Sequence, residues 1–203
     1  MFILDLGSGN TCKNDWLYAK RMIDEFLQVY RDAKSKKEIV LKWQLFIWGG
    51  DNTPLNRKIF EMAFFYAWGN NFQTTASVFD ESSLDFLLGF EIPFVKIANH
   101  EMSKKMIELV PDNYKIIRSI DKPNGAVSNS MCCISKYPAM IEDYEKTFSK
   151  SDLKRGISDH TTDWTLYTKY KPNLFECHYC LDDSEGLDSG PFARRPSQLR
   201  EIL

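Results

Sequence analysis

Two histidines stand out by position. His160 closes the segment Gly156-Ile157-Ser158-Asp159-His160-Thr161, and His178 lies in the apolar run Leu174-Phe175-Glu176-Cys177-His178-Tyr179. The chain holds three histidines in all, and these two fall where consecutive strands of an α/β protein would end. If those strands are neighbours in a parallel barrel, both imidazoles can point at one site. A pair of neutral imidazoles could then hold a divalent metal, completed by water and substrate oxygens, or do acid–base work if exposed. Each also has a plainer role: His160 as a strand end that satisfies its own loop, and His178 as a core histidine bonded to Glu176.

The other strand ends add Asp5, Lys42 with Gln44, Lys96 with Glu101, Ser119, Ser135 with Tyr137, Ser158 and Glu176. Lysine is rarely buried without a partner, so two lysines at separate strand ends are unusual. With serine hydroxyls they would make a phosphate or carboxylate site; singly, each could snorkel or pair with a nearby carboxylate such as Glu101. Trp43, Trp48, Phe60, Phe64, Phe65 and Trp68 read as core and helix packing rather than a stacking platform for bases. The basic run from Arg31 to Lys37 reads as a solvated helix end, and Gly49-Gly50 as turn chemistry.

The elements that must position these residues alternate short apolar runs with amphipathic ones. Strands are expected over Phe2 to Leu6, Ile39 to Leu45, Phe72 to Ala76, Phe94 to Ala98, Tyr114 to Ser119, Ser130 to Ile134, Lys154 to Ser158 and Leu174 to Leu181. Helices are expected over Asp15 to Tyr30, Leu55 to Ala67, Glu81 to Leu88, Ser103 to Leu109, Glu142 to Thr147, Trp164 to Tyr170 and Ser197 to Leu203. The turn Lys122-Pro123-Asn124-Gly125 leaves no helix between the fifth and sixth strands. This pattern predicts a pared-down (β/α)8 TIM barrel with at least one crossover helix missing, forming a single domain over residues 1–203.

Composition sets outer bounds. At 203 residues, 43% hydrophobic and 27% charged, the chain is an ordinary soluble globular protein. Its net charge of −2 gives no general attraction to nucleic acid or an anionic membrane, so an anionic ligand needs a local cluster of cations. No signal-peptide pattern or membrane-length apolar stretch is present, which points to the cytoplasm. The five cysteines then read as reduced, buried thiols; Cys177 and Cys180, three apart in a strand, face opposite sides.

These residues resemble the sialic acid synthase family, which condenses phosphoenolpyruvate with an N-acetylated hexosamine. Leu41-Lys42-Trp43-Gln44-Leu45-Phe46 is similar to the family's Val-Lys-Phe-Gln strand, and Ser77 to Leu87 to its Pro-Phe-Asp-x-x-Ser-Val-Asp-Phe-Leu segment. Pro93 to Glu101 resembles Phe-Lys-Ile-Ala-Ser-x-Glu, Ser135-Lys136-Tyr137-Pro138 the Ser/Asn-x-Tyr-Pro turn, and Gly156 to Thr161 the Gly-Tyr-Ser-Asp-His-Thr motif. Phe175 to Tyr179 echoes Ile/Val-Glu-x-His-Phe. The motifs fall in the family's order, from Ile3 to about Leu199.

The resemblance implies a metal-dependent aldol-type condensation giving a nonulosonic acid such as N-acetylneuraminate. It implies His160 and His178 as ligands of Mn2+ or Mg2+. Lys42, Lys96, Ser119 and Ser158 would bind the phosphate and carboxylate of phosphoenolpyruvate, with Asn99 in place of the usual serine. Asp5 and Glu101 would be catalytic, with Gln44, Ser135 and Tyr137 among the substrate contacts. A homodimer or a separate partner chain would fit, as would another aldose acceptor or a non-catalytic sugar-binding barrel. The chain also departs from the family. Gly9-Asn10-Thr11-Cys12 replaces Asn-His-Asn-Gly, Ser119-Ile120 is all that remains of Ser-Thr-Gly-Met, and Cys132 replaces a histidine. Gly190-Pro191-Phe192-Ala193 stands for Gly-Pro-Asp-His, leaving Asp182, Asp183 or Asp188 to replace a sugar-binding aspartate. The C-terminal antifreeze-like domain has no counterpart in these residues.

Overall fold

A computed structural model, describing residues 1–34, 37–48, 50–123 and 128–203, forms a closed barrel of parallel strands in sequential order. The strands are β1 (Phe2–Asp5), β2 (Ile39–Leu45), β3 (Gln73–Val78), β4 (Val95–Ile97), β5 (Ile116–Ile120), β6 (Ser130–Cys133), β7 (Gly156–Asp159) and β8 (Leu174–His178). The helices are α1 (Trp16–Asp32), α2 (Arg57–Gly69), α3 (Glu81–Leu87), α4 (Ser103–Leu109), α5 (Ile141–Thr147), α6 (Lys150–Arg155), α7 (Thr165–Tyr170) and α8 (Pro196–Leu199). This is a (β/α)8 TIM barrel, and among the described residues no helix lies between β5 and β6. Gly49, Asn124 and Gly125 of the expected turns, and Ser35 and Lys36 of the basic run, lie outside the described residues. No helix among the described residues is long and apolar enough to cross a membrane.

Local chemistry accounts for the boundaries. Asp15 caps α1 by accepting from the Tyr18 amide at 2.8 Å, and Asp80 caps α3 through the Ser83 amide. The seventh strand was expected from Lys154, but Lys150–Arg155 is helical instead. Ser149 and Asp152 form a capping box there, and that Ser-x-x-Asp spacing is the sequence signal for α6. Strand β8 ends at His178 rather than Leu181, because Tyr179 bridges to Arg194 and the Cys180 amide bonds the Arg194 carbonyl.

Alternation along the strands splits the core in two. Outward residues such as Leu4, Leu41, Trp43, Val95, Ile157 and Phe175 pack against the helices. Inward residues Ile3, Val40, Phe94, Ile117 and Met131 plug the N-terminal half of the barrel. Two residues further along the same faces come Asp5, Lys42, Lys96, Ser119 and Cys133. The apolar plug therefore supports a polar layer at the C-terminal ends, where barrels of this kind carry their sites.

The aromatic residues need one correction. Trp43, Phe60 and Phe64 are core, but Trp48, Phe65 and Trp68 are 83%, 53% and 68% exposed. Phe65 points away from the buried stripe of Phe60, Ala63 and Ala67 on α2, and Trp68 stands at its flank, one turn beyond Phe64; Trp48 lies past the end of β2, in the loop above it. All five cysteines are free and buried. Cys132 belongs to the outer core while Cys133 lines the interior cavity, as opposite faces of a strand require.

Candidate functional site

The C-terminal ends of the strands enclose a cavity of about 780 Å³. Asp5, Lys42, Gln44, Lys96, Asn99, Glu101, Ser119, Tyr137, Ser158, His160 and His178 all line it. Ser135 does not; it is exposed and accepts a hydrogen bond from Asn99 Nδ2 at 3.1 Å. Glu101 is exposed at the rim, so it is not the carboxylate that accompanies Lys96.

Strand register explains the floor. Asp5 of β1 pairs in register with Lys42 of β2 and with His178 of β8, and Asp5 Oδ2 lies 2.6 Å from Lys42 Nζ. Gln44, two residues beyond Lys42 on the same face, donates to Asp5 Oδ2 at 3.1 Å. Ser158 and Glu176 are register partners on β7 and β8, and the Ser158 hydroxyl donates to Glu176 Oε1 at 3.1 Å. Glu176 Oε1 is also 3.4 Å from Lys42 Nζ and 3.6 Å from Lys96 Nζ. Lys96 donates to Ser119 Oγ at 2.8 Å, and Lys42 to Ser77 Oγ at 3.0 Å.

Burial and charge set the protonation of this layer. Burial pushes the Asp5 carboxyl up, but the Lys42 charge beside it prevails and holds it at about 2. Burial likewise opposes the charge on Glu176, and Lys42 and Lys96 together bring its pKa below the usual value. Lys42 is raised, its burial outweighed by Asp5 and Glu176. Lys96 is lowered, by burial first, with repulsion from Lys42 adding to it and Glu176 opposing. One lysine is thus firmly charged while the other is the looser cation.

The imidazoles sit above this layer with ring centroids 5.4 Å apart. His160 Nδ1 lies 2.7 Å from the Ile134 carbonyl, so Nδ1 carries the proton and Nε2 keeps its lone pair. Burial, with the neighbouring His178, lowers the His160 pKa to about 3, and the ring is neutral at physiological pH. His178 Nδ1 is buried without a hydrogen-bond partner, 3.4 Å from Asp188 Oδ1 and 3.7 Å from Asp5 Oδ2. Tyr137 covers His160 with ring centroids 4.2 Å apart, and Phe192 meets His178 edge-on at 5.0 Å. Among the described residues no group of three or more His, Cys, Asp or Glu side chains is arranged to hold a metal ion.

Of the three aspartates that could replace the missing one, Asp188 reaches the cavity. It sits in the turn Leu187–Ser189, accepts from Gln44 Nε2 at 2.9 Å and from Ser8 Oγ at 3.3 Å, and is buried. Asp183 instead binds the Tyr18 hydroxyl and Arg21 at the surface, and Asp182 is exposed beside Arg195. Gly7 shapes the approach: its φ is +75°, and a Cβ there would stand 2.2 Å from Thr11 Oγ1 and 2.9 Å from the Asp188 Cβ. Only glycine lets the β1 loop pass this closely.

No protein-family model matches the chain, and no curated protein matches its sequence significantly. Solved structures do. The N-acetylneuraminic acid (sialic acid) synthetase of Leptospira borgpetersenii serovar Hardjo-bovis, in complex with citrate, matches with a TM-score of 0.73 at 20% identity, covering 98% of this chain and 80% of that one. A spore coat polysaccharide biosynthesis protein E from Chromobacterium violaceum gives 0.73 at 16%, over 98% and 71%. The chain shares their fold. The Bacillus subtilis spore coat polysaccharide biosynthesis protein spsE gives 0.69 at 18%, over 99% of this chain and 65% of its own. At these identities what is shared is the barrel fold itself.

Proposed function

We propose that this chain, working as a single barrel domain, condenses phosphoenolpyruvate with an N-acetylated hexosamine of the N-acetylmannosamine type. The products are a nonulosonic (sialic) acid and phosphate. The observation that carries this reading is the convergence of two buried lysines and two buried imidazoles on one cavity in a barrel built like a sialic acid synthetase.

In this reading Lys42 and Lys96, with the hydroxyls of Ser119 and Ser158, bind the phosphate and carboxylate of phosphoenolpyruvate, with Asn99 beside them. Fixed cations in a water-poor site hold such a trianion far better than they would in water. His160 and His178 fit Mn2+ or Mg2+ as imidazole donors: one has its Nδ1 committed to a carbonyl, and the other faces the carboxylates of Asp188 and Asp5, the usual second partners of a ligating histidine. A divalent cation held by these two residues would supply Lewis-acid polarisation of the open-chain aldehyde oxygen of the sugar. Carbon three of the enolpyruvate attacks the aldehyde carbon, water adds at carbon two, and the carbon–oxygen bond to phosphate breaks. Asp5, ionised at neutral pH, and Gln44 orient that water. Asp188, Tyr137 and Glu101 meet the acceptor from the mouth, and Ser135, outside the cavity, acts only by holding the Asn99 amide.

Phosphate release from phosphoenolpyruvate, measured with Mn2+ and a panel of N-acetylated hexosamines, tests the reading. Release that requires an aldose and disappears in His178→Ala supports it. Binding of metal and phosphoenolpyruvate without release moves the acceptor to a different aldose. Binding of neither leaves a non-catalytic barrel and ends the proposal.

A further inference from the structure

The pair of lysines read above as an anion site already holds an anion. Glu176 reaches in from β8 so that Oε1 lies between Lys42 and Lys96, at 3.4 and 3.6 Å, and takes the Ser158 hydroxyl at 3.1 Å. Those three side chains are among the four assigned to the substrate's phosphate and carboxylate, Ser119 being the fourth. Lys42 does not need this partner, since Asp5 stands closer at 2.6 Å. Glu176 does not satisfy itself there either: Oε2 is buried with no hydrogen-bond partner, a costly state for a carboxylate oxygen.

We propose that Glu176 is a specificity-determining residue that competes, as a tethered carboxylate, for the site of the incoming anion. It gives way when a ligand with two anionic groups engages both lysines at once. A tethered group acts at an effective concentration of about millimolar or more, so a lone phosphate or a simple carboxylate competes poorly against it. A phosphorylated carboxylate gains from both lysines and wins. The carboxylate thereby selects doubly anionic substrates and keeps the buried cations neutralised between turnovers. The idea rests on the reading of the lysine pair as an anion site.

The test is calorimetry of wild-type chain and Glu176→Gln with phosphoenolpyruvate and with inorganic phosphate, without metal and at one fixed pH for both proteins. A like charge next to a bound anion in a buried site is worth about tenfold or more in affinity. Glu176→Gln should therefore bind inorganic phosphate about tenfold or more tightly than wild type, and the preference for phosphoenolpyruvate over phosphate should shrink. Unchanged or weaker phosphate affinity overturns the competitor role. If wild type binds phosphoenolpyruvate and the variant gains nothing, that role alone fails; if neither protein binds either anion, the anion site fails with it. Should the amide variant not fold, Glu176→Asp keeps the charge but withdraws it from the lysines. A rise in phosphate affinity there supports the role, and no rise overturns it.

Discussion

Asp5 Oδ2 lies 2.6 Å from Lys42 Nζ at the one register position where β1 meets β2 with charged side chains on both strands. Both are almost wholly buried, so each offsets much of the cost of charging the other. The depressed Asp5 pKa, about 2 against 3.8 for the free side chain, fixes the sign of the pH effect. Stability from this pair is complete above the unfolded pKa and is lost as pH falls through 3.8 toward 2. The window is worth about 2 kcal/mol. With chelator present, urea midpoints of wild type should drop more steeply from pH 5 to pH 2 than those of Asp5→Asn. Parallel curves would remove the pair as a source of acid sensitivity.

The imidazole pair predicts a metal effect separable from folding. His178→Ala should reduce Mn2+ affinity below detection by calorimetry while the far-ultraviolet circular dichroism stays that of the barrel. Asp188→Asn leaves both imidazoles in place and should weaken the metal by about tenfold, the usual cost of losing a carboxylate behind a ligating histidine. Unchanged affinity in His178→Ala rejects the ligand role.

How much of this was legible depends on range along the chain. The strand ends follow from local patterning, so the sequence alone is enough to name Lys42, Lys96, His160 and His178, which line one cavity. What patterning does not carry is partner choice. Glu176, not Glu101, lies between the lysines, because β8 closes the barrel against β1 while Glu101 follows β4 onto the rim. Asp188 could be named only as one of three, since its place depends on Gly7 admitting a close contact between loops far apart in sequence. Trp48 had the composition of a core residue, and only its position past the end of β2 makes it a surface one.

The cavity's depth predicts a split between substrates. Lys96 is 1% exposed at the floor, whereas Trp48 lines the same cavity at its mouth and is 83% exposed. Lys96→Ala should weaken phosphoenolpyruvate binding at least about tenfold, by loss of a buried cation, with the acceptor KM little changed. Trp48→Ala should do the reverse, raising the acceptor KM and leaving stability within about 0.5 kcal/mol, as for an ordinary surface change. An equal loss of both substrates in Lys96→Ala would argue against the floor as the anion site.

Beside the cavity, Arg194 fastens the last loop to the barrel. It is fully buried, 2.8 Å from Asp159 Oδ2, and its Nη1 donates to the carbonyls of Thr161 and Phe192 at 2.7 and 2.8 Å. That grip sets the segment carrying Phe192 against His178. Arg194→Met leaves Asp159 buried without its partner and should cost about 3–5 kcal/mol in urea unfolding. Asp159→Asn strands the guanidinium in turn, whereas the double variant removes both charges. Its cost should therefore fall well short of the sum of the two single changes. If the costs simply add, Arg194 acts through its carbonyl bonds alone. In the subadditive case Arg194→Met should also lower Mn2+ affinity, because Phe192 no longer fixes the face of the His178 ring.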